Sequence, residues 1–284
     1  MIHSVPAPGE PLGCASWAGP VGGGLRDLVL GYSGFRSATG LGVQHRLLPF
    51  SVVVLVLDIG ADGLVTGARD GPGQDGPARW GCGVTIGLTP RGVRGLLGVP
   101  MRELTGRTVG LSDLVGARAG ELTERLAAVG PAVRGGERSK QVCDRREWVA
   151  ILDSVLGDWA PGRGRSGERD AGTGGRRAVD EAWRRIHRGG ATTVGALAGR
   201  LGVGRRGLER GFRDEFGLSP GAVGRIVRFQ RAVGLLANGA ELAAAAAESG
   251  FADQPHLNRE SRVLAGTTPG ELRAIFQYGT SGAA

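Results

Sequence analysis

The feature that most limits how this chain can fold is a repeat within its last third. Leu208-x-Arg210-x-Phe212-Arg213-x-x-x-Gly217-x-Ser219-Pro220 returns as Leu257-x-Arg259-x-Ser261-Arg262-x-x-x-Gly266-x-Thr268-Pro269, every matched position displaced by 49 residues. Just upstream, Ala198-x-x-x-Gly202-Val203 returns as Ala246-x-x-x-Gly250-Phe251 with a displacement of 48, so the second copy has one extra residue in its turn. A duplicated pattern of this kind is one supersecondary unit built twice. In the first copy Val194, Leu197, Ala198 and Leu201 make one apolar stripe, Gly202-Val203-Gly204 breaks it, and Leu208, Phe212 and Phe216 make the next. That is the grammar of helix, turn, helix. In the second, Leu242 and the alanines 243–247 predict a slim helix, Gly250-Phe251 a turn, and Asp253 the cap of a helix from Gln254 to about Ala265. Ser219-Pro220 and Thr268-Pro269 each read as an N-cap followed by proline at the first helical position, and Glu271 adds a capping-box carboxylate. The helix launched at Pro220 carries Val223, Ile226, Val227, Val233, Leu235 and Leu236, enough to join the two units rigidly.

A helix about 10–12 Å across fits the major groove of B-DNA, and a helix-turn-helix presents the outer face of its second helix to base edges. Leu208 and Phe212 commit one face of the first such helix inward and leave Arg205, Arg206, Glu209, Arg210 and Arg213 outside or on the flanks. The same logic exposes Gln254, His256, Asn258, Arg259 and Arg262 in the second. Arginine pairs with guanine and grips phosphate, and Gln and Asn pair with adenine. Two units on one rigid helix would read groove segments roughly 34 Å apart from a single chain. The charge supports a polyanionic partner: the net charge is +8, and residues 176–284 hold 16 Arg against 10 Asp plus Glu, so most of the excess lies here. For any single arginine a plain solvated face is about as good an account, and Arg210 and Arg259 could equally serve as ion-pair partners within the domain. His256 has no other ligand-type residue at suitable spacing, so a surface or DNA-facing role suits it better than metal binding.

The stretches LAGRLGVGRRGLERGFRDEFGLSP and AAAESGFADQPHLNRESRVLAGTTPGELR resemble the AraC/XylS family of transcriptional regulators, over roughly Val179 to Tyr278. The resemblance implies a seven-helix C-terminal domain with two helix-turn-helix units. Upstream, GLRDLVLGYSGF, HRLLPF and GLTPRGVRGLLGVP resemble the N-terminal domain of an actinobacterial branch, which implies a small, partly β domain that senses or dimerises. Two positions depart from the family pattern: Ser261 stands where an aromatic core residue is usual, and Gly204 where a Ser or Thr cap is usual. A buried Ser261 hydroxyl would need a hydrogen-bond partner.

The remainder of the chain reads as a separate domain. Residues 25–89 show short apolar or alternating runs at Leu28–Leu30, Val43–Leu48 and Ser51–Ile59 between glycine-rich turns, which predicts a small sheet or barrel. Residues 91–159 change to helical spacing. Pro161–Gly175 holds no large apolar side chain and reads as a linker. The expected class is therefore α+β: a β-containing, cupin-like domain with helices at 1–160, a linker at 161–177, and an all-α double helix-turn-helix domain at 178–278.

Cys14, Cys82 and Cys143 lack metal-ligand spacing or a visible base partner, and the longest strongly apolar run, Val52–Leu57, stops at Asp58. We expect no metal, no cofactor, no membrane segment, no enzymatic activity and a cytoplasmic location, on the nucleoid when bound. Gly202-x-Gly204-x-x-Gly207 matches the dinucleotide-binding fingerprint formally but follows a helical pattern and not a strand. His45, Arg46, Tyr32 and Trp80 are candidates for an effector pocket, with core or surface roles at least as suitable. The expected partners are double-stranded DNA, RNA polymerase, a small-molecule effector and a second copy of the chain. The competing functions are a DNA-repair-type or other enzyme with a regulatory helix-turn-helix tail, and a non-specific nucleic-acid binder.

Overall fold

The computed structural model describes residues 2–7, 10, 14–37, 42–73, 78–130, 133–134, 137–138, 144–161, 174–189 and 193–280. Its strands are β1 (Ser4–Pro6), β2 (Cys14–Gly19), β3 (Val29–Ser37), β4 (Val43–Leu47), β5 (Val53–Asp58), β6 (Leu64–Thr66), β7 (Ala78–Trp80), β8 (Cys82–Leu88), β9 (Thr108–Gly110), and a short pair, β10 (Val133–Arg134) and β11 (Glu137–Arg138). The helices are α1 (Pro90–Leu97), α2 (Leu111–Val115), α3 (Arg118–Ala128), α4 (Arg145–Trp159), α5 (Gly174–His187), α6 (Val194–Arg200), α7 (Arg205–Phe216), α8 (Pro220–Ala237), α9 (Leu242–Glu248), α10 (Gln254–Ala265) and α11 (Pro269–Thr280). The chain is thus a β-sheet domain with helices, followed by a helical region, as expected. Of the segment read as a linker, residues 162–173 lie outside the described residues, and Gly174 already opens α5.

Two larger antiparallel sheets make the body of the first domain, one in the order β2-β3-β8-β5-β6-β9 and the other β1-β4-β7, and β10-β11 form a separate two-stranded sheet. β5 explains why the apolar run at 53–57 shows no alternation: it lies between β8 and β6, and every one of its residues is buried. A strand covered on both faces selects apolar residues at each position. Asp58 ends the run inside the protein, where its carboxylate accepts the backbone N–H groups of Gly81 and Cys82 at 3.1 and 2.8 Å. α1 begins at Thr89, whose hydroxyl accepts the Gly92 N–H at 2.9 Å, and packs Val93, Leu96 and Leu97 into the core. α4 adds Trp148, Leu152, Val155 and Leu156.

That core continues into the helical region: Met101 and Leu104 belong to the same buried cluster as Trp183, Leu208, Phe212, Phe216, Val223 and Ile226. A second cluster joins Val5 and Leu48 to Phe229, Val233, Leu264, Ala265 and Leu272. Polar ties accompany both. The buried side chain of Gln230 on α8 donates to the carbonyls of Ile2 (3.0 Å) and Pro49 (2.8 Å) and accepts the Ile2 N–H (3.1 Å). The buried Glu215 carboxylate on α7 pairs with Arg94 of α1. Thr105 donates to the Phe216 carbonyl at 2.6 Å, and Gly217, at φ +72°, ends α7 where a Cβ would stand 2.8 Å from that of Thr105. Ser51 and His187 meet at 2.9 Å across the same boundary.

Two predictions follow from these ties. Replacing Gln230 by Ala strands the buried Pro49 carbonyl and the part-buried Ile2 carbonyl, so the urea midpoint should fall by the equivalent of about 1–3 kcal/mol, whereas an exposed control such as Arg231→Ala should change little. Burial holds three imidazoles below their ordinary value, His3 to about 3 and both His45 and His187 to about 4. Because the folded values lie below the unfolded one, their contribution is intact above pH 6.5 and is lost as the pH falls toward 4. Stability should drop over that interval by up to about 1.4 kcal/mol per pH unit for each imidazole, measured as urea midpoints across pH 4–7.

Candidate nucleic-acid interface

Each copy of the repeat folds as two helices around a tight turn, α6 with α7 and α9 with α10. The turn runs from 201 to 204 in the first and from 249 to 253 in the second, which is where the extra residue sits. Leu208, Phe212 and Phe216 face inward from α7, and Leu257, Ser261, Leu264 and Ala265 from α10. Arg205, Arg206, Arg210 and Arg213 are exposed on α7, with Glu209 half-buried among them. On α10, Arg259 and Arg262 are exposed and Gln254, His256 and Asn258 half-buried.

Several of these cations are free to meet a ligand. Arg205 pairs with Glu209 at 2.9 Å, one turn along the exposed face, whereas Arg206, Arg210, Arg213 and Arg259 have no ion pair among the described residues. The bland account of Arg210 and Arg259 as structural ion-pair partners therefore fails. The pairs that brace the second unit are others: Arg225 of α8 with Glu260 of α10 at 2.8 Å, and Arg273 of α11 with Glu241 at 2.5 Å. His256 is turned toward its own chain, its Nδ1 accepting the Ala252 N–H at 3.3 Å and its ring standing edge-on to Phe251.

The two helix starts differ electrostatically. Asp253 caps α10 and accepts the His256 N–H at 2.6 Å, which places a carboxylate on the first-turn amides. Gly204 caps α7 without a side chain, so the first turn of α7 keeps its partial positive charge beside Arg205 and Arg206. The glycine that departs from the usual Ser or Thr thus leaves an end suited to a phosphate oxygen.

Ser261, the other departure, is fully buried, and its hydroxyl donates to the Thr267 carbonyl at 2.8 Å. The required partner exists. Thr267 donates its own hydroxyl to Glu271 at 2.7 Å, and Glu271 completes a capping box by accepting the Thr268 N–H at 2.7 Å while Thr268 accepts the Glu271 N–H at 3.2 Å. These donors hold the Glu271 carboxyl down to about 2.

Sequence reading missed the ties that orient these units, among them Gln230 and Glu215. The available signal was a polar residue on the buried face of an otherwise apolar helix, as Gln230 is between Phe229 and Val233. The effector-pocket candidates separate: His45 and Trp80 line one cavity and Arg46 another, while Tyr32 lies in a third and donates its hydroxyl to Asp153 at 2.7 Å. Cys82 is buried in β8, the Cys14 side chain and all of Cys143 lie outside the described residues, and the glycine fingerprint at 202–207 follows helix α6.

The helix-turn-helix domain family matches residues 197–275. Among solved structures, a transcriptional regulator with an AraC-type DNA-binding domain from Chromobacterium violaceum is 27% identical over 36% of this chain and 95% of its own, with a TM-score of 0.34. A probable AraC family transcriptional regulator from Rhodopseudomonas palustris CGA009 is 30% identical over 36% of this chain and 97% of its own, with a TM-score of 0.32. ToxT from Vibrio cholerae is 9% identical over 92% of this chain and 97% of its own, with a TM-score of 0.37. No curated protein matches the chain.

The capping box gives a test of the second unit. Glu271→Ala should lower the melting temperature at pH 7. Because the folded carboxyl titrates below its unfolded value of 4.5, the benefit is present above that pH and fades toward pH 2. Melting curves of the two proteins should therefore converge between pH 4.5 and 2.

Proposed function

We propose that this chain, which belongs to the AraC/XylS family through the helix-turn-helix domain of residues 197–275, is a transcription regulator that reads two adjacent major-groove segments with α7 and α10. The observation that carries this reading is the register of the repeat. One set of spacings buries the apolar stripe of both second helices and leaves Arg210 and Arg259, and likewise Arg213 and Arg262, at matched exposed positions. Arg206, Arg210 and Arg213, with Glu209 between them, are assigned to the first groove segment, and Gln254, Asn258, Arg259 and Arg262 to the second. Arg205, already leaning on Glu209, and the uncapped start of α7 take phosphate. His256 positions the turn and borders the base-reading face.

In this reading residues 1–160 sense or dimerise, 161–177 connect, and 178–278 bind DNA. An effector, a second copy of the chain or RNA polymerase acts through the first domain by changing how the two units sit together. The ties from α7 and α8 to that domain support such coupling. Both units hang on one 18-residue helix, α8, which is about 27 Å long and is itself clamped at Gln230.

Selection from a random duplex library at 0.15 M salt should return one motif of roughly 15–20 base pairs. Arg210→Ala should relax preference at particular base pairs by about 1–3 kcal/mol each. Uniform weakening of all sequences would instead identify a non-specific binder. With 6–8 phosphates neutralised, log affinity should fall against log salt with a slope of roughly −5 to −7. A slope near −2 would show that most of these arginines never meet the duplex.

A further inference from the structure

We propose that Val263 is a specificity-determining residue, and that it reads the C5-methyl group of a thymine in the groove segment facing α10. The inference deepens the regulator reading and rests on it for the placement of α10 in a major groove.

Large apolar side chains are scarce on this surface. Among the described residues the exposed ones are Leu30 at 39% and Val263 at 61%. Val263 belongs to none of the apolar clusters, because Leu257, Ser261, Leu264 and Ala265 carry the packing of α10 from its opposite side. Folding gives no reason for a valine there: a β-branched residue at an exposed helical position loses side-chain freedom and returns no burial.

Its position in the repeat supplies the reason. Residues four apart form one row along a helix. The row farthest from the buried stripe of α10 is Pro255, Arg259 and Val263, all exposed. The displacement of 49 sets that row against Arg206, Arg210 and Asp214, which are exposed on α7. The α7 row offers two guanidiniums and a carboxylate, groups that pair with guanine O6 and N7 and with the cytosine N4 amine. On α10, Arg259 is the one hydrogen-bonding side chain of its row, flanked by an apolar residue on either side. The two units therefore differ in what they can read.

Base edges present a single kind of apolar group to the major groove, the thymine methyl. A valine pressed on any other edge displaces water from N7, O6 or an amine and gives no donor or acceptor in return, which is unfavourable. Over a thymine methyl it removes two apolar surfaces from water. Arg259 sets the distance. Four residues advance about 6 Å along a helix, so the thymine lies roughly two base steps, at about 3.4 Å each, from the guanine that Arg259 takes. A segment read by hydrogen bonds beside one read partly by a methyl group makes the site asymmetric and fixes which way round the chain lies on the duplex.

Duplex selection with the full-length chain supplies the motif. Each thymine in it is then replaced singly by deoxyuridine, which removes the methyl group and keeps every hydrogen-bonding group. At one position the replacement should weaken binding by the wild-type chain about fourfold, the effect of withdrawing one buried methyl. Val263→Ala, shown by circular dichroism to keep its fold, should bind the two duplexes equally. The sensitive thymine should lie in the segment where Arg259→Ala relaxes a guanine. A motif without thymine in that segment, uracil tolerated at every position, or equal methyl sensitivity in the wild-type chain and Val263→Ala would each overturn the proposal and leave the regulator reading intact. Failure to select any motif would instead sink the regulator reading, and this assignment with it.

Discussion

The joint between the sheet domain and the helical region organises everything else in this molecule. A helix-turn-helix pair of 79 matched residues has a modest interior, and here its inner faces are completed from outside: Phe212 and Phe216 lie in one core with Met101 and Leu104, and Phe229 and Val233 in another with Val5 and Leu48. Such burial is non-directional and would tolerate sliding. Direction comes from the polar ties, since Gln230 satisfies one amide and two carbonyls of the N-terminal segment, and Glu215 is buried against Arg94. Removing either side of such a contact leaves a desolvated polar group, so each one specifies a single docking arrangement.

That arrangement leaves α7 and α10 with little work to do on their outer faces, and this is what makes them available. Among the described residues Arg206, Arg210, Arg213 and Arg259 have no ion pair, and the bracing comes from Arg225 with Glu260 and Arg273 with Glu241. The two units are alike in path and unlike in finish. The first begins with a bare glycine cap and is anchored at its far end by Thr105 and Arg102 of the other domain. The second begins with an aspartate cap and is anchored through the Ser261, Thr267 and Glu271 network. The buried Ser261 hydroxyl is thus satisfied by a carbonyl acceptor from the following turn.

Where sequence and structure part company, the reason is separation along the chain. The repeat, its glycines and its Ser-Pro and Thr-Pro starts are local signals, and the turn lengths of four and five residues reproduce the displacement of 48 against 49. The unbroken apolar run at 53–57 was equally legible as a strand, though not which neighbours cover it. Tyr32, His45, Arg46 and Trp80 look alike as pocket candidates in sequence, yet they fall in three different cavities, because strand pairing and not spacing decides which face each one shares.

By itself the sequence determined two helix-turn-helix units, their boundaries to within a residue or two, and the split between buried stripe and arginine-bearing face. Periodicity and capping act over three or four residues, and a helix imposes them wherever it packs. Only the tertiary structure decided that the sheet domain completes the core of the helical one. It also decided that Gln230 and Glu215 are interdomain ties. Those outcomes depend on groups more than a hundred residues apart meeting at hydrogen-bond distance, and no local pattern records that meeting.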